Sequence, residues 1–384
     1  MAKLKIAYLT TWLPRPCGIA TFTKDMARNI QLVNPKIHWE VIALNEPGDK
    51  FKYDSRVKTQ IYRDDFKTYQ KAADYINNSN IDIVIVQYEF NLYEPKGFLP
   101  EFLSLINKKI ITIFHAVPFP ELYRSEKIPK RIKALKEVSV KSHKIITMCQ
   151  TARLKMIKDY NVPAKKIVVI PHGGPNFKRV SRESAKKKIG IPSSKIILSS
   201  FGLIRQNKNF EQVIEALKWV VPKFPEAQFF ICGEEHPLMS RDYYSYLKKL
   251  VEELNLKQNV VFVNHFLTPE EIAKYLQATD IFIHSGNFLS MISSGTLTFA
   301  ITAGKCILST PFIYDKEILK QKRGFLFPVG KPKILAKKII NLLENPKLRK
   351  EAEDRAWLFG QDLLWPKIAK KYLDLFKQTI KERD

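Results

Sequence analysis

Short, almost wholly apolar runs alternate along the chain with helix-length amphipathic segments. Lys5–Thr10, Trp39–Ala43, Ile83–Gln87, Ile110–Phe114, Lys144–Met148 and Ile167–Ile170 are β-branched and apolar, the pattern of strands covered on both faces. Ala20–Val33, Thr68–Asn77 and Arg131–Ser142 separate them with helical periodicity. The alternation then restarts. Ile196–Gly202, Gln228–Cys232, Val260–Asn264, Ile281–His284, Cys306–Ser309 and Gly324–Phe327 form a second strand set. Phe210–Val220, Tyr243–Leu254, Pro269–Gln277 and Leu297–Ala303 are its helices. Strands alternating with helices predict parallel, doubly wound sheets, so the fold class is α/β with two Rossmann-like domains. The charged segment Lys178–Ser194 reads as the crossing between them. The predicted boundaries are 1–177 and 178–365, with a last helix over 366–384 packing back on the first domain. The tail Pro332–Asp384 is helical, with breaks near Gly360 and before Pro366.

In such sheets ligands bind beyond the carboxyl ends of the strands, so the chemistry is sought in the loops there. After the first strand, Pro14-Arg15-Pro16-Cys17-Gly18-Ile19-Ala20-Thr21-Phe22-Thr23 puts Gly18 at the start of a helix. Free N–H groups and the positive dipole end suit a phosphate, although a plain tight turn fits equally. Neither Gly-x-Gly-x-x-Gly nor Gly-Lys-Ser/Thr occurs, which disfavours dinucleotide and Walker-type sites. In Phe201-Gly202-Leu203-Ile204-Arg205-Gln206-Asn207-Lys208-Asn209-Phe210, Arg205 and Lys208 lie in a loop entering a helix. A guanidinium fork and an ammonium there suit a diphosphate, bound and leaving.

His115 ends a strand, where a neutral imidazole either hydrogen-bonds a sugar hydroxyl or is a satisfied structural group. Ile170-Pro171-His172-Gly173-Gly174-Pro175 is a forced turn, either a hinge or a ligand loop. Glu89, Glu234, Glu235 and His236 follow strands and can bind a sugar hydroxyl or act as a base. No His-Glu-x-x-His, Ser-His-Asp order or Cys/His metal spacing is present. Asp64-Asp65, the nearest approach to an acidic pair, lies in a polar surface stretch. Cys17, Cys149, Cys232 and Cys306 are far apart and read as reduced thiols.

Charge narrows the partners. Lys and Arg number 64 against 38 Asp and Glu, a net +26. Nucleic acid, an anionic membrane and anionic small molecules all suit such an excess. An RNA-recognition signature is missing, which sets nucleic acid aside. Arg124, Lys127, Lys130, Arg131, Lys133, Lys136, Lys141 and Lys144 crowd one stretch, with Ile128, Ile132, Leu135 and Val138 as its apolar side. A basic amphipathic helix of this kind can lie on an anionic membrane. An ordinary solvated helix in a lysine-rich chain fits equally. No apolar run approaches the length of a membrane span, so a cytoplasmic protein is expected, with a peripheral place on the inner face of the membrane as the option that the basic helix leaves open.

Taken together, these loops resemble glycosyltransferase family 4, the retaining enzymes with two facing Rossmann lobes, and most closely its mannosyltransferase-like branch. The resemblance is carried by Pro14 through Thr23, Ile170 through Gly173, Gly202 through Lys208, and Glu235-His236-Pro237 with Tyr243 and Leu247. Ser293-Ser294-Gly295-Thr296-Leu297, Ala303-Gly304-Lys305 and Ser309-Thr310-Pro311 complete it. It implies a B-type fold with a deep cleft between the domains. Gly18, Gly202, His172, Ser294, Gly295 and Thr296 would bind the donor, Arg205 and Lys208 would clasp its diphosphate, and His115 would touch the donor sugar. Glu89, Glu235 and His236 would meet acceptor or sugar. Transfer of mannose from GDP-mannose to a glycan or lipid-linked acceptor, without metal or further cofactor, is the activity implied. One departure stands out: the family's two glutamates, eight positions apart, fall on Met291 and Phe299. Donor contacts must then be absent or come from elsewhere, with Glu317 a substitute for one, and a non-catalytic nucleotide-sugar or glycan binder becomes the alternative.

Overall fold

In the computed structural model, residues 4–235 and 242–382 are described. The chain divides into two compact units, residues 1–173 with 365–384, and 174–364.

The first unit carries a seven-stranded sheet of β1 (Lys5–Thr10), β2 (His38–Asn45), β3 (Val57–Tyr62), β4 (Ile83–Tyr88), β5 (Lys109–Phe114), β6 (Lys144–Thr147) and β7 (Ile167–Val169). Its strand order is β3-β2-β1-β4-β5-β6-β7, and every pairing is parallel. Between the strands run α1 (Gly18–Val33), α2 (Phe66–Asn78), the single turn α3 (Phe90–Tyr93), α4 (Leu99–Ser104), α5 (Ile128–Lys141) and α6 (Gln150–Tyr160). All six residues of β4 are buried, as expected for a central parallel strand covered on both faces. Strand β3 escaped the sequence reading because it lies at the edge. Its Lys58 and Gln60 face solvent, so it lacks the continuous apolar run of its neighbours.

The second unit opens with α7 (Arg182–Lys188), inside the segment read from sequence as a bare crossing. Ser181 caps it by accepting from Ser184 N, and Lys186 lies 2.8 Å from the buried carboxylate of Asp280. Then come β8 (Ile196–Phe201), α8 (Phe210–Val220), β9 (Ala227–Cys232), α9 (Tyr243–Glu253), β10 (Val260–Val263), α10 (Pro269–Ala278) and β11 (Ile281–His284). They are followed by α11 (Gly295–Thr302), β12 (Cys306–Ser309), α12 (Ile313–Ile318), β13 (Phe325–Leu326), α13 (Pro332–Glu344) and α14 (Pro346–Gly360). The sheet order is β10-β9-β8-β11-β12-β13, again all parallel. Its core is aliphatic and aromatic, with Leu198, Val213, Leu217, Phe229, Ile281 and Leu308 fully buried. The last helix, α15 (Trp365–Lys381), belongs to the first unit and packs along α1.

Both strand orders reverse direction once, between β1 and β4 and between β8 and β11. The loops leaving those strands diverge there and open a crevice at the carboxyl edge of each sheet. Most of the residues singled out from sequence lie in or beside those loops.

Candidate functional site

In the first unit, β1 runs into a loop that reaches α1 at Gly18. A Cβ at Gly18 would meet nothing within 4 Å, so open space lies before this helix start. The neighbouring cation is already occupied, because Arg15 pairs with Glu46 and lies 3.5 Å from Asp49. Across the switch point, Glu89 is the N-cap of α3. Its carboxylate accepts from the Asn91 backbone N–H at 2.9 Å and from the Asn91 side chain at 3.0 Å. Burial raises its pKa, opposed mainly by that backbone hydrogen bond. These bonds account for Glu89 as a local cap.

His115 follows β5 directly, and its backbone N–H donates to Tyr88 O at 2.8 Å. Its Nε2 lies 2.6 Å from Oε1 of Gln87, the penultimate residue of the neighbouring strand β4. The proton therefore sits on Nε2, and Nδ1 is the acceptor. His172 takes the opposite tautomer, because its Nδ1 donates to Gly173 O at 2.7 Å. The two imidazoles pack about Phe22 of α1, with ring centroids 5.1 Å and 4.9 Å away, and Trp365 stands 5.8 Å from His172. A side chain at Gly173 would overlap the Trp365 ring, its Cβ falling 2.3 Å away. Burial lowers the pKa of His115 to about 3, helped by the charge of His172, and burial lowers that of His172 to about 4. Both are neutral near pH 7, the form that can hydrogen-bond a hydroxyl.

The cationic loop is in the second unit. Gly202 leaves β8 with φ +119°, a conformation favouring glycine, and a Cβ there would lie 3.1 Å from the Lys208 ammonium and 4.0 Å from Thr296. Gly233, leaving β9 at φ +152°, presses on it so closely that a Cβ would sit 2.2 Å from Gly202 O. Residues 205–209 then turn, with Lys208 N donating to Arg205 O at 2.9 Å. The turn is fastened to the loop after β11 on the far side of the switch point. Ser285 Oγ donates to Lys208 O at 2.7 Å, and Asn287 N to Asn207 O at 3.2 Å. Burial lowers the Lys208 pKa to about 8, with the Arg205 charge adding to the fall and Asp315 opposing it. A cation that burial has destabilised gains most when an anion arrives.

Opposite Lys208 lies the start of α11. Ser294 caps it, accepting from Leu297 N at 3.2 Å, and lies 3.3 Å from the hydroxyl of Thr296. Gly295 is the first helical residue, and the Thr296 side chain beside it borders Gly202 together with the Lys208 ammonium, so a helix start lies near that cation. Phe299 packs edge-on against Phe177, centroids 6.3 Å apart, and Met291 is fixed through its backbone to Phe288 and Tyr314. Glu317 lies on α12, partly buried. Glu235 pairs through its backbone with Ile204 and Asn264, and His236 lies outside the described residues.

Sequence reasoning missed a buried group beneath this loop. His284 closes β11, Ser309 closes β12 beside it in register, and Asp315 of α12 bonds both. The only signal in the sequence was a histidine ending a strand, since the three residues span 31 positions and meet only through strand register. Asp64 and Asp65 are local structure: Asp65 caps α2 through Lys67 N and Asp64 pairs with Arg63. Among the described residues no cluster of three or more His, Cys, Asp or Glu suits a metal ion.

Two family models cover most of the chain. Residues 18–173 match Glycosyltransferase Family 4, and residues 181–357 match Glycosyl transferases group 1. No protein of curated function matches the sequence. Solved structures share the fold throughout. Sucrose-phosphate synthase (tll1590) from Thermosynechococcus elongatus is 18% identical with a TM-score of 0.78, over 98% of each chain. A glycosyltransferase from Rickettsia africae ESF-5 is 17% identical with a TM-score of 0.76, over the full length of both. Anabaena Alr3699/HepE, solved in complex with UDP and glucose, is 15% identical with a TM-score of 0.78, over 98% of this chain and 100% of that one. With both domain models matched in order and the two-domain Rossmann-like architecture in place, the chain belongs to the group 1, family 4-like glycosyltransferases of B-type fold.

Proposed function

We propose that the protein is a retaining hexosyltransferase that uses a nucleotide-diphosphate sugar, with mannose from GDP-mannose favoured, and a glycan or lipid-linked acceptor. The observation that carries this reading is the Arg205–Lys208 turn, fastened across a switch point with a buried ammonium beside the start of α11. In the proposed reaction Arg205 and Lys208 hold the diphosphate and neutralise it as the bond to the sugar breaks. Preorganised donors of this kind are each worth on the order of 10²–10³ in turnover. The N–H groups at Gly295 and Thr296 supply the remaining neutralisation, and His115 hydrogen-bonds a sugar hydroxyl through its neutral ring. Crystals of Alr3699/HepE with UDP-glucose make a uridine nucleotide the competitor to guanosine.

The acceptor part of the proposal rests on α5. There Arg131 and Lys127 pair with Glu94, and Lys133 with Glu137, while Lys136 and Lys141 remain exposed beside an exposed Val140. Those exposed cations are the part of α5 that would meet an anionic membrane bearing a lipid-linked acceptor. No helix of the described residues is long and apolar enough to cross a membrane.

A second reading, a nucleotide-sugar binder without turnover, is favoured by the two apolar residues at 291 and 299. The test is thermal stabilisation by GDP-mannose, UDP-glucose, ADP-glucose and the bare diphosphates, on wild type and Arg205→Ala, followed by donor turnover. A selective shift lost in the variant supports the diphosphate site and names the donor. Stabilisation without turnover favours the second reading, and no shift with any of them refutes the donor site.

A further inference from the structure

Helix α11 and the loop before it carry Met291 and Phe299 where the family resemblance leads one to look for carboxylates. The acid in this part of the fold comes from a different element. Asp315 of α12 is fully buried, and its Oδ2 accepts from His284 Nδ1 and from Ser309 Oγ, each at 2.5 Å. Because His284 and Ser309 are register partners on β11 and β12, one carboxylate oxygen ties two adjacent strand ends. With its proton on Nδ1, His284 accepts at Nε2 from Ser294 Oγ, 3.2 Å away. Ser294 in turn caps α11. Carboxylate, imidazole, hydroxyl and helix start thus form one continuous chain. The same three side chains serve nucleophiles in hydrolases. Here the Ser294 hydroxyl already accepts from Leu297 N, so its work is to cap and orient.

The other carboxylate oxygen, Oδ1, is buried and has no hydrogen-bond partner among the described residues. A buried carboxylate is stabilised by hydrogen bonds and by nearby positive charge. His284 bonds this one directly, and the Asp315 charge also acts on Lys208, whose turn is held through its backbone to Ser285, next to His284.

We propose that Asp315 is the positioning carboxylate of the donor site: through His284 it fixes Ser294 at the start of α11, and it offsets the ammonium of Lys208, supplying from α12 the acid that α11 lacks. The proposal rests on the reading of the Arg205–Lys208 loop as a nucleotide-diphosphate site. It makes Asp315 act through its neighbours and touch no reacting atom.

The experiment compares wild type, Asp315→Asn and Ser309→Ala between about pH 7 and pH 9.5, where Lys208 titrates. The first variant keeps the shape and removes the charge, and the second removes one hydrogen bond and keeps the charge. Two quantities are read: the affinity for UDP and GDP by calorimetry, and Tm without ligand. The charged groups acting on Lys208 are Arg205 of its own turn and Asp315 of α12, and Asp315 is itself hydrogen-bonded to His284 of β11. Lys208 titrates near 8 in the folded protein and near 10.5 unfolded, so the unfolded chain binds the extra proton between those values. Stability therefore rises with pH across that window, while diphosphate affinity falls as pH passes about 8. Asp315→Asn is expected to move both transitions about one unit lower and to weaken diphosphate binding about fivefold at pH 8, rising to about tenfold at pH 9.5. Ser309→Ala is expected to move neither. Transitions unmoved in Asp315→Asn would overturn the proposal, as would an equal displacement in Ser309→Ala. Should UDP and GDP both fail to bind wild type, the donor reading falls, and the ligand-free Tm curves still decide the Asp315–Lys208 pair.

Discussion

The loop after β1 and the loop after β8 occupy the same topological slot in two sheets of the same design, yet their charges are settled differently. Each leaves the first strand of its unit at the switch point and enters the next helix. In the first, Arg15 is taken up by Glu46 and Asp49, and the glycine at the helix start faces open space. In the second, two cations share one turn, burial and Arg205 push Lys208 down to about 8, and glycines at 202 and 233 press backbone against backbone. A neutralised loop has no electrostatic reason to bind an anion, whereas a strained pair of cations has a large one. The difference teaches that the Rossmann-like slot is generic and that local charge balance decides which copy is suited to an anion.

The largest expected effect removes that asymmetry. Lys208→Ala and Arg205→Ala each delete a charge-assisted contact worth about 1.5–3 kcal/mol, so diphosphate affinity should fall about 10- to 100-fold. Arg15→Ala deletes an ion pair already satisfied within its own unit and should change that affinity by less than about twofold. Calorimetry with UDP and GDP on the three variants checks this. An Arg15 effect as large as the Lys208 effect would abolish the distinction between the loops.

The glycines sharpen the contrast on the stability axis. Gly233→Ala would place a Cβ 2.2 Å from Gly202 O at φ +152°, so the backbone must shift. A loss of about 2–4 kcal/mol is expected from such strain. Gly18→Ala enters open space at the first position of a helix and should alter stability by no more than about 0.5–1 kcal/mol, in the stabilising direction. Urea denaturation midpoints distinguish the two. A severe loss in Gly18→Ala would mean that the first loop is as tightly constrained as the second.

How much of this was legible in the sequence follows from distance along the chain. Lys5–Thr10, Ile281–His284 and Cys306–Ser309 could be bounded correctly because buried parallel strands are continuous apolar runs. Arg205 and Lys208 could be found because both lie in one turn after such a run. Strand β3 was hidden by its solvent-facing Lys58 and Gln60, and α7 by a lysine-rich composition that imitates a linker. The pairing of His115 with Gln87 and of His284 with Asp315 was out of reach, because register and helix packing, which local pattern does not encode, bring them together. Glu89 shows what strand position alone leaves out: the sequence placed it at a strand end, and its bonds to Asn91 add a cap on α3.

The smallest expected effect separates the two units by pH. Lys208 costs the second unit stability below about pH 8, a cost relieved as pH rises toward 10.5, and His115 and His172 cost the first unit stability on the acid side. Their folded pKa values, about 3 and about 4, lie below the 6.5 of an unperturbed histidine. The unfolded chain therefore binds more protons between those values, and stability must fall as pH drops below 6.5 toward 4. The neutral rings cost nothing above 6.5, so this part of the curve is flat at higher pH. Replacing His115 with Gln keeps a donor and an acceptor beside Gln87 and removes the titration. Its Tm should then decline less steeply than that of wild type across the same window, with the two curves parallel above it. The difference between the curves is the relevant quantity, since the carboxylates that titrate in this window, Asp25 at about 6 among them, contribute equally to both. Curves that stay parallel down to pH 4 would mean that His115 is as readily protonated in the folded protein as in the unfolded one. In that case its ring is not held neutral by its packing against Phe22, and the first unit loses the feature that suits it to hydrogen-bonding a hydroxyl.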